Sequence, residues 1–136
     1  MADIRQVTED FAVAPQLQTS EMAEAASRGF RLVINNRPDG EAPGQPSSAE
    51  MEAAARGAGL DYVHIPFVGR PGLREVAAVR EAVQAADGPV LAFCRSGTRS
   101  ITAWTLGQAE VGARSREQLL KLGAGAGYDL SAALDG

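Results

Sequence analysis

The stretch "CRSGTRS" (94–100) holds the residues of this sequence best suited to covalent chemistry. It contains the only cysteine of the chain, Cys94, followed by Arg95, Gly97 and Arg99. Guanidinium groups bind oxyanions and stabilise a nearby thiolate, and a glycine allows the loop to turn its backbone N–H groups inward. Because the thiolate is the nucleophilic form of cysteine, the loop predicts a reactive sulfur beneath an oxyanion-binding cradle.

Seven residues of this loop are the predicted catalytic and anion-binding residues. We assign Cys94, Arg99 and Ser100 to catalysis, and Arg95, Ser96, Gly97 and Thr98 to the anion-binding loop. Ser100 donates its hydroxyl to the thiolate, caps the helix that follows, or does both, and the capping role is favoured. A buried, inert cysteine at the end of a core strand is the alternative. Packing alone does not require the surrounding arginines and glycine, so the reactive interpretation is favoured.

Four further residues lie where they could support this loop. Arg37 and Asp39 belong to the loop "NNRPDGE", and they either clamp a substrate or brace the cysteine loop. Arg70 in "FVGRPG" is more typical of a solvated side chain. His64 lies inside the apolar strand "YVHIPF", where a structural role is favoured over proton transfer.

The elements that must position these residues alternate between strands and helices. The predicted strands are 11–15, which is an edge strand, 30–36, 60–67 and 90–94. The predicted helices are 19–29, 48–59, 73–86, one from about Ser100, and 115–127. Thr19 or Ser20 caps the first of these helices, and Ser47 with Glu50 forms a capping box at the second. Short links between such elements imply βαβ crossovers and a mainly parallel sheet. Because ligands bind beyond the carboxyl ends of such strands, the three arginine-bearing loops should converge on one rim.

Length and composition limit the remaining possibilities. The 136 residues, 45% of them hydrophobic, predict a single domain over 1–136. A net charge of -4 disfavours a nucleic-acid or membrane-surface partner. One cysteine and one histidine are too few ligands for a structural metal site, and no cofactor is predicted. No apolar run approaches roughly 20 residues. We therefore expect a cytoplasmic protein of undefined oligomeric state.

Beyond this local chemistry, much of the chain resembles a known family. The segments "GFRLVINNRPDGEAPGQPSSAEMEAAARGAGLDYVHIP", "GPVLAFCRSGTRS" and "AGYDLS" (126–131) resemble the beta-lactamase-hydrolase-like protein, phosphatase-like domain, a bacterial family. The resemblance covers about residues 11–131. It implies a cysteine-phosphatase-like α/β fold of three layers, with Cys94 as nucleophile and Arg99 as anion clamp.

The same loop departs from the tyrosine phosphatase pattern in three ways. Four residues separate Cys94 from Arg99 where tyrosine phosphatases have five, and Phe93 stands where they commonly have histidine. No carboxylate follows "HIPF", where dual-specificity phosphatases carry their general acid. Asp39 and Glu41 are the nearest alternatives in another loop. Rhodanese-type sulfurtransferases carry a loop similar to "CRSGTRS".

These departures leave three hypotheses for the function. The first is a sulfurtransferase that carries a persulfide on Cys94, since sulfur transfer needs no strong general acid. The alternative is a phosphatase that works through a phosphocysteine, with a small phosphoester as substrate. The third is an anion-binding or redox-sensing module without catalysis. Each implies a small anionic or persulfide ligand.

Overall fold

One five-stranded sheet organises the computed structural model, which describes residues 1–135. Its strands are β1 (Arg5–Gln6), β2 (Phe11–Ala14), β3 (Leu32–Asn35), β4 (Asp61–His64) and β5 (Val90–Phe93). They lie in the order β1-β2-β5-β3-β4. β1 is antiparallel to β2, and every other pair is parallel. The predicted mainly parallel sheet is therefore confirmed.

Helices of the same part of the chain connect and cover these strands. They are α1 (Met22–Ser27), α2 (Ser48–Gly57), α3 (Leu73–Ala85), α4 (Thr98–Glu110), α5 (Arg116–Gly125) and α6 (Ser131–Asp135). The predicted capping box is present at α2, where the Ser47 hydroxyl accepts from the Glu50 N–H and the Glu50 carboxylate accepts from the Ser47 N–H. None of the helices in residues 1–135 is long and apolar enough to cross a bilayer.

Successive side chains of each strand point to opposite faces of the sheet, so the core is divided between the two faces. In β5, Val90 and Ala92 pack on the face covered by α3, α4 and α5, whereas Leu91 and Phe93 pack on the face covered by α1 and α2. All four of these side chains are at most 1% exposed. Such an apolar run is typical of a strand that is buried on both faces. The result is the predicted three-layer arrangement.

Two predictions about individual elements were wrong. β2 is not an edge strand, because β1 pairs with its outer side and β5 with its inner side. α1 begins after a 3₁₀ turn, Thr19–Glu21, whose N-cap is Gln18 rather than Thr19 or Ser20. The Glu21 carboxylate accepts from the Gln18 N–H and fixes that boundary.

The carboxyl ends of the parallel strands lie along one edge of the sheet. β5 is flanked there by β2 and β3, so the loop after Phe93 starts at the middle of this edge. The loops that follow β3 and β4 start at the same edge, as parallel pairing requires. The topology thus brings the candidate loops together around Cys94.

Candidate active site

Cys94 lies directly after β5, at the base of a tight loop. The residue is fully buried, and its Sγ accepts a hydrogen bond of 3.1 Å from the Gly97 N–H. Gly97 has a φ of 92°, which a residue with a side chain rarely adopts, and it is the N-cap of α4. The N–H groups of the first helical turn, which have no partner within the helix, and the positive end of the helix dipole therefore lie beside the loop. This geometry favours a negatively charged sulfur.

Tyr128 contacts the loop at the peptide between Ser96 and Gly97, on the side that faces away from the sulfur. Its hydroxyl donates to the Ser96 carbonyl at 2.8 Å. A Cβ atom added to Gly97 would overlap this hydroxyl. Glycine is therefore required at 97 both by its backbone conformation and by the close approach of the tyrosine.

Arg99, in the first turn of α4, is held along one edge of its guanidinium group. Its Nη1 donates to Glu41 Oε2 at 2.9 Å and to the Phe67 carbonyl at 3.1 Å, and its Nη2 donates to Glu41 Oε1 at 2.8 Å. A guanidinium carries five N–H donors. No oxygen within residues 1–135 accepts from the Nε–H or from the second Nη2–H, and the guanidinium lies beside Cys94. These two adjacent donors form a fork that suits an oxyanion bound above the sulfur.

Glu41 is the residue that braces the two arginines. Besides Arg99, it accepts from Arg37 Nε at 2.8 Å, so one carboxylate neutralises a guanidinium that is 4% exposed. The hydrogen bonds from Arg99 and then from Arg37 lower the pKa of Glu41 to about 2. The same contact with Glu41, and next the facing Cys94, raise the pKa of Arg99 against the opposing effect of burial. Glu41 is therefore ionised at neutral pH and unsuited to act as a general acid.

The other residues of the cysteine loop differ in exposure. Arg95, Ser96 and Thr98 are exposed, with the Ser96 hydroxyl donating to Thr98 Oγ1 at 3.0 Å. Ser100 is fully buried, and its hydroxyl has no hydrogen-bond partner within residues 1–135. The predicted capping role of Ser100 is wrong, since the helix starts at Thr98 with Gly97 as its cap. Its role toward the thiolate stays a prediction.

Three supporting residues prove to have structural partners. His64 Nε2 is 2.8 Å from the Arg37 carbonyl oxygen, so the histidine helps to hold the loop after β3. Asp39 accepts from the Ser48 N–H at 2.7 Å, at the start of α2, and does not pair with Arg37. Arg70 is exposed and donates to the Ala133 carbonyl. Of the four predicted supporting residues, only Arg37 joins the charged network of Arg99.

Sequence reasoning missed two residues that hold the loop in place. Gln16 donates its N–H to the Arg95 carbonyl at 3.2 Å, and its side-chain oxygen accepts from Arg37 Nη1 at 3.0 Å. Tyr128 is the other, and its only sequence signal is its place within "AGYDLS". Within residues 1–135, no group of three or more His, Cys, Asp or Glu side chains is placed to hold a metal ion.

Comparison with known proteins gives a consistent result. The family model for the Beta-lactamase hydrolase-like protein, phosphatase-like domain, matches residues 3–111. A Beta-lactamase hydrolase-like protein from Agrobacterium fabrum (strain C58) is 38% identical over 93% of this chain, and one from Xylella fastidiosa (strain Temecula1) is 37% identical over 94%. The chain spans only 30% of the length of each of these relatives.

Solved structures extend the similarity to the fold. A candidate phosphatase from Neisseria meningitidis Z2491 has a TM-score of 0.86 at 29% identity, covering 97% of this chain and 94% of that one. Tk-PTP in its active form has a TM-score of 0.68 at 22% identity, covering 98% and 92%. The comparisons support a phosphatase-type cysteine enzyme, and they favour the phosphatase hypothesis over the sulfurtransferase that the sequence ranked first. The chain belongs to the family of the Beta-lactamase hydrolase-like protein, phosphatase-like domain.

Proposed function

We propose that this chain hydrolyses phosphomonoesters through a phosphocysteine on Cys94. The observation that carries the proposal is a sulfur that accepts from the Gly97 N–H beside an Arg99 fork, whose Nε–H and second Nη2–H donate to no oxygen within residues 1–135. The Gly97 N–H stabilises a negatively charged sulfur as the nucleophile, and the Arg99 fork binds two oxygens of a phosphoryl group. A variant of P. aeruginosa TpbA has the same fold, with a TM-score of 0.68 at 17% identity, covering 93% of this chain and 76% of that one. It was solved in complex with pTyr, which supports a phosphomonoester as the ligand of this fold.

The reaction follows from these groups in two steps. In the first, the Cys94 thiolate attacks phosphorus, an S–P bond forms, and the P–O bond of the ester breaks with its electron pair going to the leaving oxygen. In the second, the oxygen of water attacks phosphorus, a P–O bond forms, and the S–P bond breaks with its electron pair returning to sulfur. Inorganic phosphate leaves with the protons of the water, and the thiolate is restored. The Arg99 fork and the loop N–H groups stabilise the equatorial oxygens in both steps.

The identity of the leaving group should decide the rate. The loop after β4 carries no carboxylate in residues 65–72, and Glu41 is ionised between two arginines. An alkoxide must take up a proton as it leaves, whereas a phenolate with a low pKa need not. We therefore expect aryl phosphates, including phosphotyrosine, to be hydrolysed much faster than alkyl phosphates.

The test combines turnover with capture of the intermediate. Wild type should hydrolyse para-nitrophenyl phosphate, and an acid-quenched sample should show one phosphoryl group by intact mass. Cys94→Ser should lose both signals, by at least about 1,000-fold for turnover. Comparable turnover in Cys94→Ser, or the absence of turnover in wild type, would contradict the proposal.

One observation favours sulfur transfer as a second candidate. The four-residue spacing between Cys94 and Arg99 makes a shorter loop than that of tyrosine phosphatases, and a sulfane sulfur is smaller than a phosphoryl group. Here the thiolate attacks the outer sulfur of thiosulfate, an S–S bond forms on Cys94, and sulfite leaves with the electron pair. Intact mass after incubation with thiosulfate distinguishes the two: one added sulfur on wild type, absent from Cys94→Ser, supports sulfur transfer.

A further inference from the structure

A single peptide group links Tyr128 to the nucleophile. The peptide between Ser96 and Gly97 accepts a hydrogen bond from the Tyr128 hydroxyl at its carbonyl, at 2.8 Å. The same peptide donates from its N–H to Cys94 Sγ, at 3.1 Å. Hydrogen bonds that share a peptide polarise one another, so the tyrosine strengthens the donor that faces the sulfur.

This peptide needs an external restraint. Rotation of the peptide plane requires changes in the ψ of residue 96 and the φ of residue 97, and glycine at 97 tolerates both signs of φ. The rotated peptide would direct its carbonyl oxygen at Cys94 and repel a thiolate. Packing within the loop does little against this rotation, because Ser96 is exposed and Gly97 has no side chain.

Tyr128 is itself anchored well enough to supply that restraint. Its N–H donates to the Gly123 carbonyl at the end of α5, at 2.8 Å. The guanidinium of Arg5 lies 5.2 Å from the centre of its ring, and Arg5 is paired with Asp3. Burial, and then the charge of Cys94, raise the pKa of Tyr128 against the opposing effect of Arg5. The hydroxyl therefore keeps its proton at neutral pH and remains a donor.

We propose that Tyr128 is a positioning residue of the active site, which holds the Ser96–Gly97 peptide with its N–H directed at Cys94 and so favours the thiolate. The proposal rests on the proposed function only in requiring Cys94 to act as a thiolate. Tyr128 acts through the peptide and touches no reacting atom. The charged groups that act on the sulfur or on Tyr128 are Arg99 from α4, Glu41 through Arg99, and Arg5 with its partner Asp3 behind the tyrosine ring. Arg95 follows Cys94 in the chain, and its side chain is exposed.

The pH dependence of cysteine alkylation measures this role directly. Cys94 is the only cysteine, so uptake of iodoacetamide by the full chain reports on it alone. Tyr128→Phe removes the hydroxyl and should move the midpoint of the rate–pH profile up by about one unit, with about a tenfold slower rate near pH 6. The rate at high pH should match that of wild type, because the sulfur is then ionised in both proteins.

Two further variants separate this effect from loss of stability. Ser115→Ala removes the cap of α5, where the hydroxyl accepts from the Gln118 N–H, without touching the loop. It should lower the melting temperature and leave the alkylation midpoint unchanged. Tyr128→Met removes the hydroxyl without adding a titratable group, and it should show the raised midpoint even if Tyr128→Phe does not fold.

The outcomes distinguish this proposal from the function it builds on. A low midpoint in wild type that is unchanged in the folded Tyr128 variants would overturn the positioning role and leave Cys94 as the nucleophile. An ordinary thiol midpoint in wild type, near about 8.5, would overturn both. A raised midpoint in the Tyr128 variants but not in Ser115→Ala supports the positioning role.

Discussion

The cysteine loop and the loop that follows β4 meet at Arg99, yet they are restrained very differently. The first is held by the Gly97 N–H on the sulfur and by Tyr128 on the Ser96 carbonyl. The second reaches Arg99 only through the Phe67 carbonyl. Its next residue, Val68, is 75% exposed. One loop is organised around an anion, and the other leaves its edge of the site open to solvent.

This difference separates two requirements of ester hydrolysis. Nucleophilic attack needs a sulfur that is held by a hydrogen-bond donor and a fork for oxygens. The cysteine loop has both, in the Gly97 N–H that donates to Cys94 and in the guanidinium of Arg99. Departure of the alcohol needs a proton donor, and the loop after β4 has no side chain of that kind in residues 65–72. Under the proposed function, we therefore expect substrates whose leaving group needs little protonation, either an aryl phosphate or a sulfane donor.

The largest expected effect comes from removing the anion fork. Arg99→Ala should lower kcat/KM for para-nitrophenyl phosphate by about 1,000-fold, because it removes preorganised donors from the transition state. Arg99→Lys should recover only part of this loss, since a lysine ammonium cannot bind two oxygens in the same plane. Arg37 still pairs with Glu41 in both variants, so the loop after β3 should remain folded.

Arg95→Ala is the matched comparison for Arg99. Arg95 is exposed and lies in the same loop, without a partner in residues 1–135 for its side chain. Its removal should lower kcat/KM by less than about tenfold, as expected for a solvated charge. Equal losses in the two variants would mean that net charge, rather than the geometry of the fork, binds the anion.

The next effect tests how closely the cysteine loop is packed. Gly97→Ala should lower the free energy of unfolding by about 3 kcal/mol, from the strain of a φ of 92° and from displacement of the Tyr128 hydroxyl. It should also abolish rapid alkylation of Cys94 near neutral pH. Urea unfolding and iodoacetamide uptake measure the two effects.

Gly112→Ala serves as the control for this experiment. Gly112 also has a positive φ, 68°, but a Cβ atom there would meet no other atom within 4 Å. Backbone strain alone should then cost about 1 kcal/mol, with no change in the reactivity of Cys94. If the two alanine variants were equally destabilised, the contact between Gly97 and Tyr128 would carry no energetic weight.

A smaller effect is expected from Glu41, the carboxylate that joins the loop after β3 to Arg99. The pKa of Glu41 is about 2 in the folded protein, below its ordinary value of 4.5. Its stabilising contribution is therefore present in full above about pH 4.5 and is lost as the pH falls through 2. Glu41→Gln should lower the free energy of unfolding by about 2 kcal/mol at pH 7.

The pH dependence supplies the check on this prediction. Wild type should lose stability between about pH 4.5 and 2 more steeply than Glu41→Gln, so that the two unfolding curves approach each other in acid. Parallel curves over that range would show that Glu41 is not paired with Arg37 and Arg99 in solution.

Much of the fold was predictable because it depends on local patterns. The apolar run of β5 and the capping box of α2 are each contained in a few consecutive residues. β1 has only two residues and shows no periodicity that could be recognised. Its pairing with β2 made that strand internal, which is why the prediction of an edge strand was wrong.

The site was predictable where parallel topology alone determines position. The loops after β3, β4 and β5 converge because their strands share one carboxyl edge. Arg99 follows β5, and it contacts Glu41 of the loop after β3 and the Phe67 carbonyl of the loop after β4. The choice of Glu41 rather than Asp39 as that partner depends on how the loop after β3 folds. Tyr128 lies 32 residues beyond its partner Ser96, and no local pattern connects them.

The smallest expected effect is a gain of function on the open side of the site. Val68→Asp places a carboxyl group in the loop after β4, near the carbonyl that contacts Arg99. Without a tuned pKa or position, it should raise hydrolysis of an alkyl phosphate by no more than about tenfold, well below the effect of an evolved general acid. Hydrolysis of para-nitrophenyl phosphate should not change, because its phenolate leaves without a proton.

Val111→Asp gives the control, since Val111 is also an exposed valine, 55% accessible, but lies after α4 and away from the cysteine loop. An increase confined to Val68→Asp and to the alkyl ester would show that the loop after β4 faces the leaving group and lacks only a donor. If neither ester responds, two explanations remain: the alcohol departs elsewhere on the rim, or the site transfers sulfur. The thiosulfate mass assay separates them, because only a sulfurtransferase gains one sulfur on Cys94.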